Sequence, residues 1–321
     1  MDYYMLFDWE KKDVEFIPQK IGFPLHMRYS KKIVSKLLGW IIACWKVLLE
    51  SKKNDCIICW FDFQGILCFW LARISFKKRT ICCVNVMLKD KKTLKNRVVS
   101  FFYRKALLSN NVKASVTSSS YGNWLNKKLG IQKKYYLVHD VYRDIYKIKT
   151  QFSERRQVFI GGVNGRDWPF AFALARKMKD VNFCFILSTK VGKLFANEKY
   201  DNLEIFSGVP LKEFEKKMCE SSIVCLPLDS QAPSGLIVLF RAAANEKMVF
   251  VTRTASSKEY VNDERGCCLP KSLSEWEEKI RYYLDRKDER MKCAQKLHSF
   301  LIERCNEDEF VDALREMVLG G

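Results

Sequence analysis

Residues 232–252, APSGLIVLFRAAANEKMVFVT, constrain this chain most, because they read as a loop, a helix and a buried strand in immediate succession. Pro233 stiffens the approach, and Ser234 is a residue type that accepts a hydrogen bond from the first helical turn. Leu236, Leu239, Phe240 and Ala243 form the apolar stripe of a helix that ends near Asn245 and Glu246. Met248 to Val251 is an uninterrupted apolar run of the kind found in strands covered on both faces. A loop running into a helix N-terminus leaves free N–H groups and the positive dipole end outward, where an anion such as phosphate fits. Taken alone, the stretch favours the plainer reading, in which Ser234 only caps a helix packed on a parallel sheet.

The same alternation runs along the rest of the chain. Short strands are expected at residues 3–7 and 14–17, a strong helix at 31–50, then strands at 55–60, 80–87, 113–117 and 135–138 with helices between them. After a polar, aperiodic stretch at 146–156, read as a linker, the pattern restarts with a strand at 158–160 and a helix at 168–179 capped by Asp167. Strands follow at 182–187, 203–206 and 223–226, with a helix at 211–219. The chain closes with helices at 272–285 and 291–318, the last long enough to return to the first domain. Alternating strands and helices imply α/β architecture with parallel sheets, here in two domains, 1–145 and 157–290, plus a C-terminal segment, 291–321.

Charge divides the halves. Residues 1–150 hold 29 Lys and Arg against 11 Asp and Glu, whereas residues 151–321 hold 27 against 26. The first half is therefore the part that meets a polyanion. Basic runs at 77–79 and 89–105, with Trp40 and Trp45 in the preceding helix, resemble Lys-rich, aromatic surfaces that lie on anionic lipid, so residues 31–105 are read as a membrane-facing region. The basic residues are not interleaved with any groove-reading or base-stacking motif, so no nucleic-acid partner is expected. Thirteen cysteines, with no secretory leader pattern, suggest free thiols in a reducing compartment. Cys56 and Cys59 have redox-motif spacing, but their apolar filling reads as a strand, and Cys82-Cys83 and Cys267-Cys268 read as core fillers. No segment reaches the ~18 to 20 consecutive apolar residues that span a bilayer. The protein is expected to be cytoplasmic and peripheral on the inner face of the cell membrane.

In the second half, Gly161-Gly162-Val-Asn-Gly165-Arg166-Asp167 follows a strand and opens a helix. Its glycines miss dinucleotide spacing, which needs one at position 160, but Arg166 is available for a phosphate. With Phe206-Ser-Gly208-Val209-Pro210, Cys225-Leu-Pro227-Leu-Asp229, Ser234-Gly235 and Lys247-Met248-Val249, this ordered set resembles the nucleotide-sugar domain of family 4-like GT-B glycosyltransferases of bacterial polysaccharide biosynthesis. Residues 121–129 and 139–142 are similar to the end of such a protein's acceptor domain, and the resemblance spans roughly residues 54–265.

The resemblance implies two Rossmann-like domains whose parallel sheets face a central cleft. It implies a hexosyltransferase-like enzyme that moves a sugar from a nucleotide-diphosphate sugar to a saccharide or lipid-linked acceptor with retention. No cofactor or metal is expected, since no clear Asp-x-Asp motif is present. The donor would be held by Gly162, Arg166, Lys190, Gly208, Val209, Ser234, Gly235 and Arg241. Where the family carries a ribose-binding Glu, this chain has Arg241, which cannot accept from hydroxyls but can pair with phosphate. Either the donor is held differently or catalysis has been lost, and the alternative is a non-catalytic GT-B-fold interaction subunit of a glycosylation complex. Asp62 is a candidate base or hydroxyl ligand on the acceptor side, or else a helix cap, and His139 either contacts the sugar or phosphate or is structural. His26 and His298 have no evident partners.

Overall fold

The structure is a computed structural model describing residues 33–88 and 93–320. The strands expected at 3–7 and 14–17, His26 and part of the basic run at 89–92 lie outside the described residues. The chain divides into two compact units, one extending through His139 and including the C-terminal segment from Glu307, the other Asp140–Asn306.

In the first unit the described residues form α1 (Ile33–Glu50), β1 (Cys56–Cys59), α2 (Asp62–Ile74), β2 (Thr80–Cys83), α3 (Leu94–Leu107), β3 (Val112–Val116), α4 (Ser119–Leu129) and β4 (Tyr136–Leu137). Its four described strands pair in chain order, and every one of these pairings is parallel. Cys56 and Cys59 therefore stand in a strand, and all thirteen cysteines are free. Lys77 and Arg79 reach back to the C-terminal end of α1, donating to Leu48 O at 3.0 Å and Ser51 O at 2.8 Å. Cations at a helix C-terminus satisfy its last carbonyls.

The second unit contains β5 (Arg155–Gly161), α5 (Trp168–Lys177), β6 (Asn182–Leu187), α6 (Thr189–Leu194), β7 (Leu203–Ser207), α7 (Leu211–Glu220), β8 (Ser221–Leu226), α8 (Leu236–Ala244), β9 (Met248–Thr252), α9 (Ser257–Tyr260), β10 (Cys267–Leu269), α10 (Leu273–Leu284) and α11 (Lys287–Arg304). Its six strands run β10-β9-β8-β5-β6-β7, all parallel. Alternate residues feed two cores. Phe159, Cys184, Ile186, Val249 and Val251 pack on α7, α8 and α11, while Val158, Ile160, Phe183, Phe185 and Phe250 pack on α5 and α10. Burial on both faces is why these strands read as continuous apolar runs.

Two expectations need correction. The stretch read as a linker packs on the second unit: Tyr146, Ile148 and Phe152 lie on its core, Asn245 exchanges hydrogen bonds with Ile148 N and Tyr146 O at 2.9 Å each, and β5 already begins at Arg155. The single helix expected over 291–318 is two, because Asn306 donates its side-chain amide to Ile302 O and Glu303 O and a new helix, α12 (Glu307–Leu319), opens with three acids. Its end is held in the first unit, where Lys113 Nζ on β3 donates to Val318 O at 3.0 Å and Gly320 O at 2.5 Å. Cys267 and Cys268 do fill the core, as expected, and they do so from the edge strand β10, which pairs with β9.

Candidate functional site

Because every strand of the second unit is parallel, the loops after β8, β5, β6 and β7 emerge side by side along one edge of the sheet. Between β8 and β5 the chain changes direction across the sheet, and a crevice at such a switch point is where open α/β sheets bind ligands. The two loops flanking it are docked on each other. Asp167 N donates to Pro227 O at 3.0 Å, Asp229 N donates to Gly165 O at 3.1 Å, and Arg166 bridges to Leu228. From the β9 side, Ala255 N donates to Gln231 Oε1 at 2.8 Å and Ser256 Oγ to Gln231 O at 2.7 Å, pinning the β8 loop.

Arg166 lies at the centre of this contact. Its Nε donates to Gly161 O at 2.8 Å and one terminal nitrogen to Asn164 O at 3.3 Å, both uncharged carbonyls. The guanidinium is wedged between Gly162 and Gly235, where an added Cβ would approach its nitrogens to 2.8 and 2.7 Å. The residue is 6% exposed and, among the described residues, no carboxylate pairs with it. Burial alone lowers its pKa to about 10, which leaves it charged at neutral pH. A buried cation without a counter-charge is costly unless an anion completes it.

Ser234 departs from the expected role. The N-cap of α8 is Gly235, held at φ +80°, and no side chain caps the helix. The left-handed turn swings Ser234 off the helix start, so its Oγ is buried with no hydrogen-bond partner among the described residues. A Cβ on Gly165 would meet that oxygen at 2.5 Å. Arg166, an orphan hydroxyl and the uncapped first turn of α8 therefore meet at the switch point, and each can satisfy an oxyanion. Asp167 does cap α5, accepting from Phe170 N at 3.1 Å, and its other oxygen is ion-paired with Lys271 just beyond β10. Lys271 carries no signal in the sequence, since it is the edge strand β10 that brings residue 271 to Asp167.

Lys190 is exposed at the start of α6, and Gly208 and Val209 follow β7; Gly208 N donates to Leu187 O at 3.2 Å, and an added Cβ there would lie 2.7 Å from Thr189 Oγ1. Arg241 stands apart, in the last turn of α8. Its guanidinium is ion-paired with Glu215 on α7 and lies 4.9 Å from the Tyr146 ring centroid, with 12% of the side chain exposed. His298, which had no evident partner, shares a 2.8 Å hydrogen bond with Tyr142 Oη, and burial lowers its pKa.

In the first unit, Asp62 follows β1 but does not cap α2, whose N-cap is Phe61. Its carboxylate accepts from Phe63 N and Met87 N at 2.8 Å each and from the Tyr103 hydroxyl, so both oxygens are engaged. Burial raises its pKa in spite of those donors. His139 is half-buried at the end of the first unit, after β4. Among the described residues no three His, Cys, Asp or Glu side chains group as a metal site.

Comparison of the whole chain with solved structures gives consistent matches. TarM, known from S. aureus, superposes with a TM-score of 0.65 over 87% of this chain at 11% identity, and the chain spans 58% of the TarM length. Anabaena HepE in complex with UDP superposes at 0.66 over 87% of this chain and 82% of its own, at 12% identity. WaaG, a glycosyltransferase involved in lipopolysaccharide biosynthesis, does so at 0.56 over 78% and 80%, at 15% identity. The fold is GT-B. No family model and no curated protein matches the sequence.

Proposed function

We propose that this GT-B chain is a glycosyltransferase that takes a sugar from a nucleoside-diphosphate donor and passes it to a saccharide or lipid-linked saccharide acceptor. The observation that carries the reading is Arg166, a buried guanidinium at the switch point with no carboxylate partner among the described residues. UDP in the fold neighbour HepE supports a nucleotide at such a sheet. The diphosphate would take its charge complement from Arg166, its hydrogen bonds from Ser234 Oγ and the first N–H groups of α8, and its base contacts from the loop at Gly208 and Val209. As the glycosidic bond breaks, negative charge grows on the leaving diphosphate. Fixed donors already aimed at that position stabilise it without reorganising. With this chain's own charges in that role the reaction proceeds without a metal, and retention is the outcome the family resemblance suggests. The acceptor would be taken by the basic first unit, and the protein would work as a peripheral protein on the inner face of the cell membrane.

A thermal-shift screen against UDP, GDP and ADP and their common sugars tests this directly. The expected result is a melting-temperature rise with one diphosphate family, and release of that nucleoside diphosphate from its sugar when acceptor is supplied. Binding without turnover over a broad acceptor set would favour a non-catalytic subunit, and no shift with any nucleotide would sink the donor assignment.

A further inference from the structure

The peripheral-membrane reading, on which this inference rests, places the membrane-facing region within residues 31–105, and the helices of the first unit narrow it to one face. In α1, Leu38, Ile42, Trp45 and Leu49 recur at i, i+4, i+7 and i+11, all exposed, while Cys44 and Leu48 turn inward. In α2 the same spacing gives Phe63, Leu67, Trp70 and Ile74, half-buried to 69% exposed, while Gly65, Ile66, Phe69 and Ala72 pack inward. In α3 it gives Leu94, Val98 and Phe101, followed by Lys105, whose ammonium lies 6.0 Å from the Phe101 ring centroid. The stripes are joined. Trp40 of α1 stacks edge-on against Phe63 at 5.2 Å, and Trp70 of α2 does so against Phe102 of α3 at 5.2 Å while donating its indole N–H to Phe102 O. A run of apolar stripes across three adjacent helices is larger than the scattered exposed residues normal to a soluble surface.

We propose that this face of α1, α2 and α3 is the docking surface, and that its occupant is an anionic phospholipid bilayer. Charge decides between occupants. Helix α3 contains no acid, and Lys46, Lys95, Arg97 and Lys105 have no carboxylate partner among the described residues. A second copy would bring the same cations against one another, whereas anionic headgroups neutralise them as the apolar stripe enters the acyl boundary. No described helix is long and apolar enough to cross a membrane, so these helices would lie in the interface plane. The basic cluster at 77–79 contributes less than its sequence suggests, because Lys77 and Arg79 are spent on the carbonyls of Leu48 and Ser51.

The test is co-sedimentation of the full chain with vesicles of phosphatidylcholine alone or with one quarter phosphatidylglycerol. Two paired variants are compared with wild type: Val98→Glu with Phe101→Glu on α3, and Leu38→Glu with Trp45→Glu on α1. All four positions are exposed, so the fold is retained, and the UDP-induced thermal shift provides the check. Wild type should prefer the anionic vesicles, and each pair should lower that partition by at least about tenfold while the UDP shift is unchanged. Failure of wild type to bind anionic vesicles would overturn the membrane reading and leave the donor site to be judged by the UDP shift. Pairs that bind as wild type would overturn this face. So would a wild-type dimer in light scattering that the same pairs dissociate, since a second copy would then cover it. Vesicle binding without any nucleotide shift would uphold the docking surface and remove the transferase reading.

Discussion

Replacing Ser234 by Ala should move stability and donor binding in opposite directions. Its hydroxyl is buried with no hydrogen-bond partner among the described residues, and a buried hydroxyl left in that state costs on the order of 1–3 kcal/mol. Removing it deletes that cost, and the cavity is one oxygen in size, so the apo protein should gain about 1 kcal/mol, or roughly 2–4 °C in melting temperature. A nucleoside diphosphate would lose one hydrogen bond to a charged group, about 1.5–3 kcal/mol, so its dissociation constant should rise by roughly 10- to 100-fold. Urea unfolding of the apo protein and calorimetric titration with the nucleotide identified by screening measure the two halves separately. An apo protein destabilised by more than about 1 kcal/mol, with nucleotide affinity intact, would mean that the hydroxyl supports the fold and the site argument around it is wrong.

Gly235→Ala forces a side chain onto φ +80° and places its Cβ 2.7 Å from an Arg166 nitrogen, so it should cost about 2–4 kcal/mol in urea unfolding and weaken nucleotide binding as well. Arg241→Ala breaks the ion pair with Glu215 and the contact with Tyr146; it should lower stability by about 2 kcal/mol while leaving nucleotide affinity within about twofold, and a tenfold loss would return Arg241 to the donor site. Glu154 lies 3.2 Å from Lys247 and 2.6 Å from Arg290, and although burial alone would raise its pKa, those two cations hold it below its usual 4.5. A depressed carboxylate stabilises the fold above its unfolded pKa and loses that contribution as pH falls through the folded value. Glu154→Gln should therefore cost about 2 kcal/mol at pH 7 and progressively less below about pH 4.5, read from urea midpoints across pH.

Most of the architecture was legible because its physics is local. Phe183 to Leu187 and Met248 to Val251 are buried on both faces, so they stand out as apolar runs. The glycine turn before α5 was equally visible, since Asp167 sits where a cap must sit. What escaped depends on partners distant in sequence or on backbone geometry. Nothing in SGLIV reveals that Gly235 takes a left-handed conformation and displaces Ser234 from the cap. That Arg166 has no carboxylate partner among the described residues, and that Arg241 has one in Glu215, emerges only when loops and helices far apart in sequence are brought together. The break between α11 and α12 carries neither Gly nor Pro; its only signal is the acidic run Glu307 to Glu309, typical of a helix's first turn.

The central claim is that the buried guanidinium of Arg166 holds the diphosphate of a nucleotide donor. Calorimetric titration of wild type, Arg166→Lys and Arg166→Ala with UDP, and with GDP and ADP alongside, tests it most directly. The account predicts saturable binding of one diphosphate by wild type, with affinity lowered at least about 100-fold in Arg166→Ala and only partly retained in Arg166→Lys, because an ammonium replaces the charge but not the planar fork. Folded Arg166→Ala protein binding the same nucleotide as tightly as wild type would contradict it.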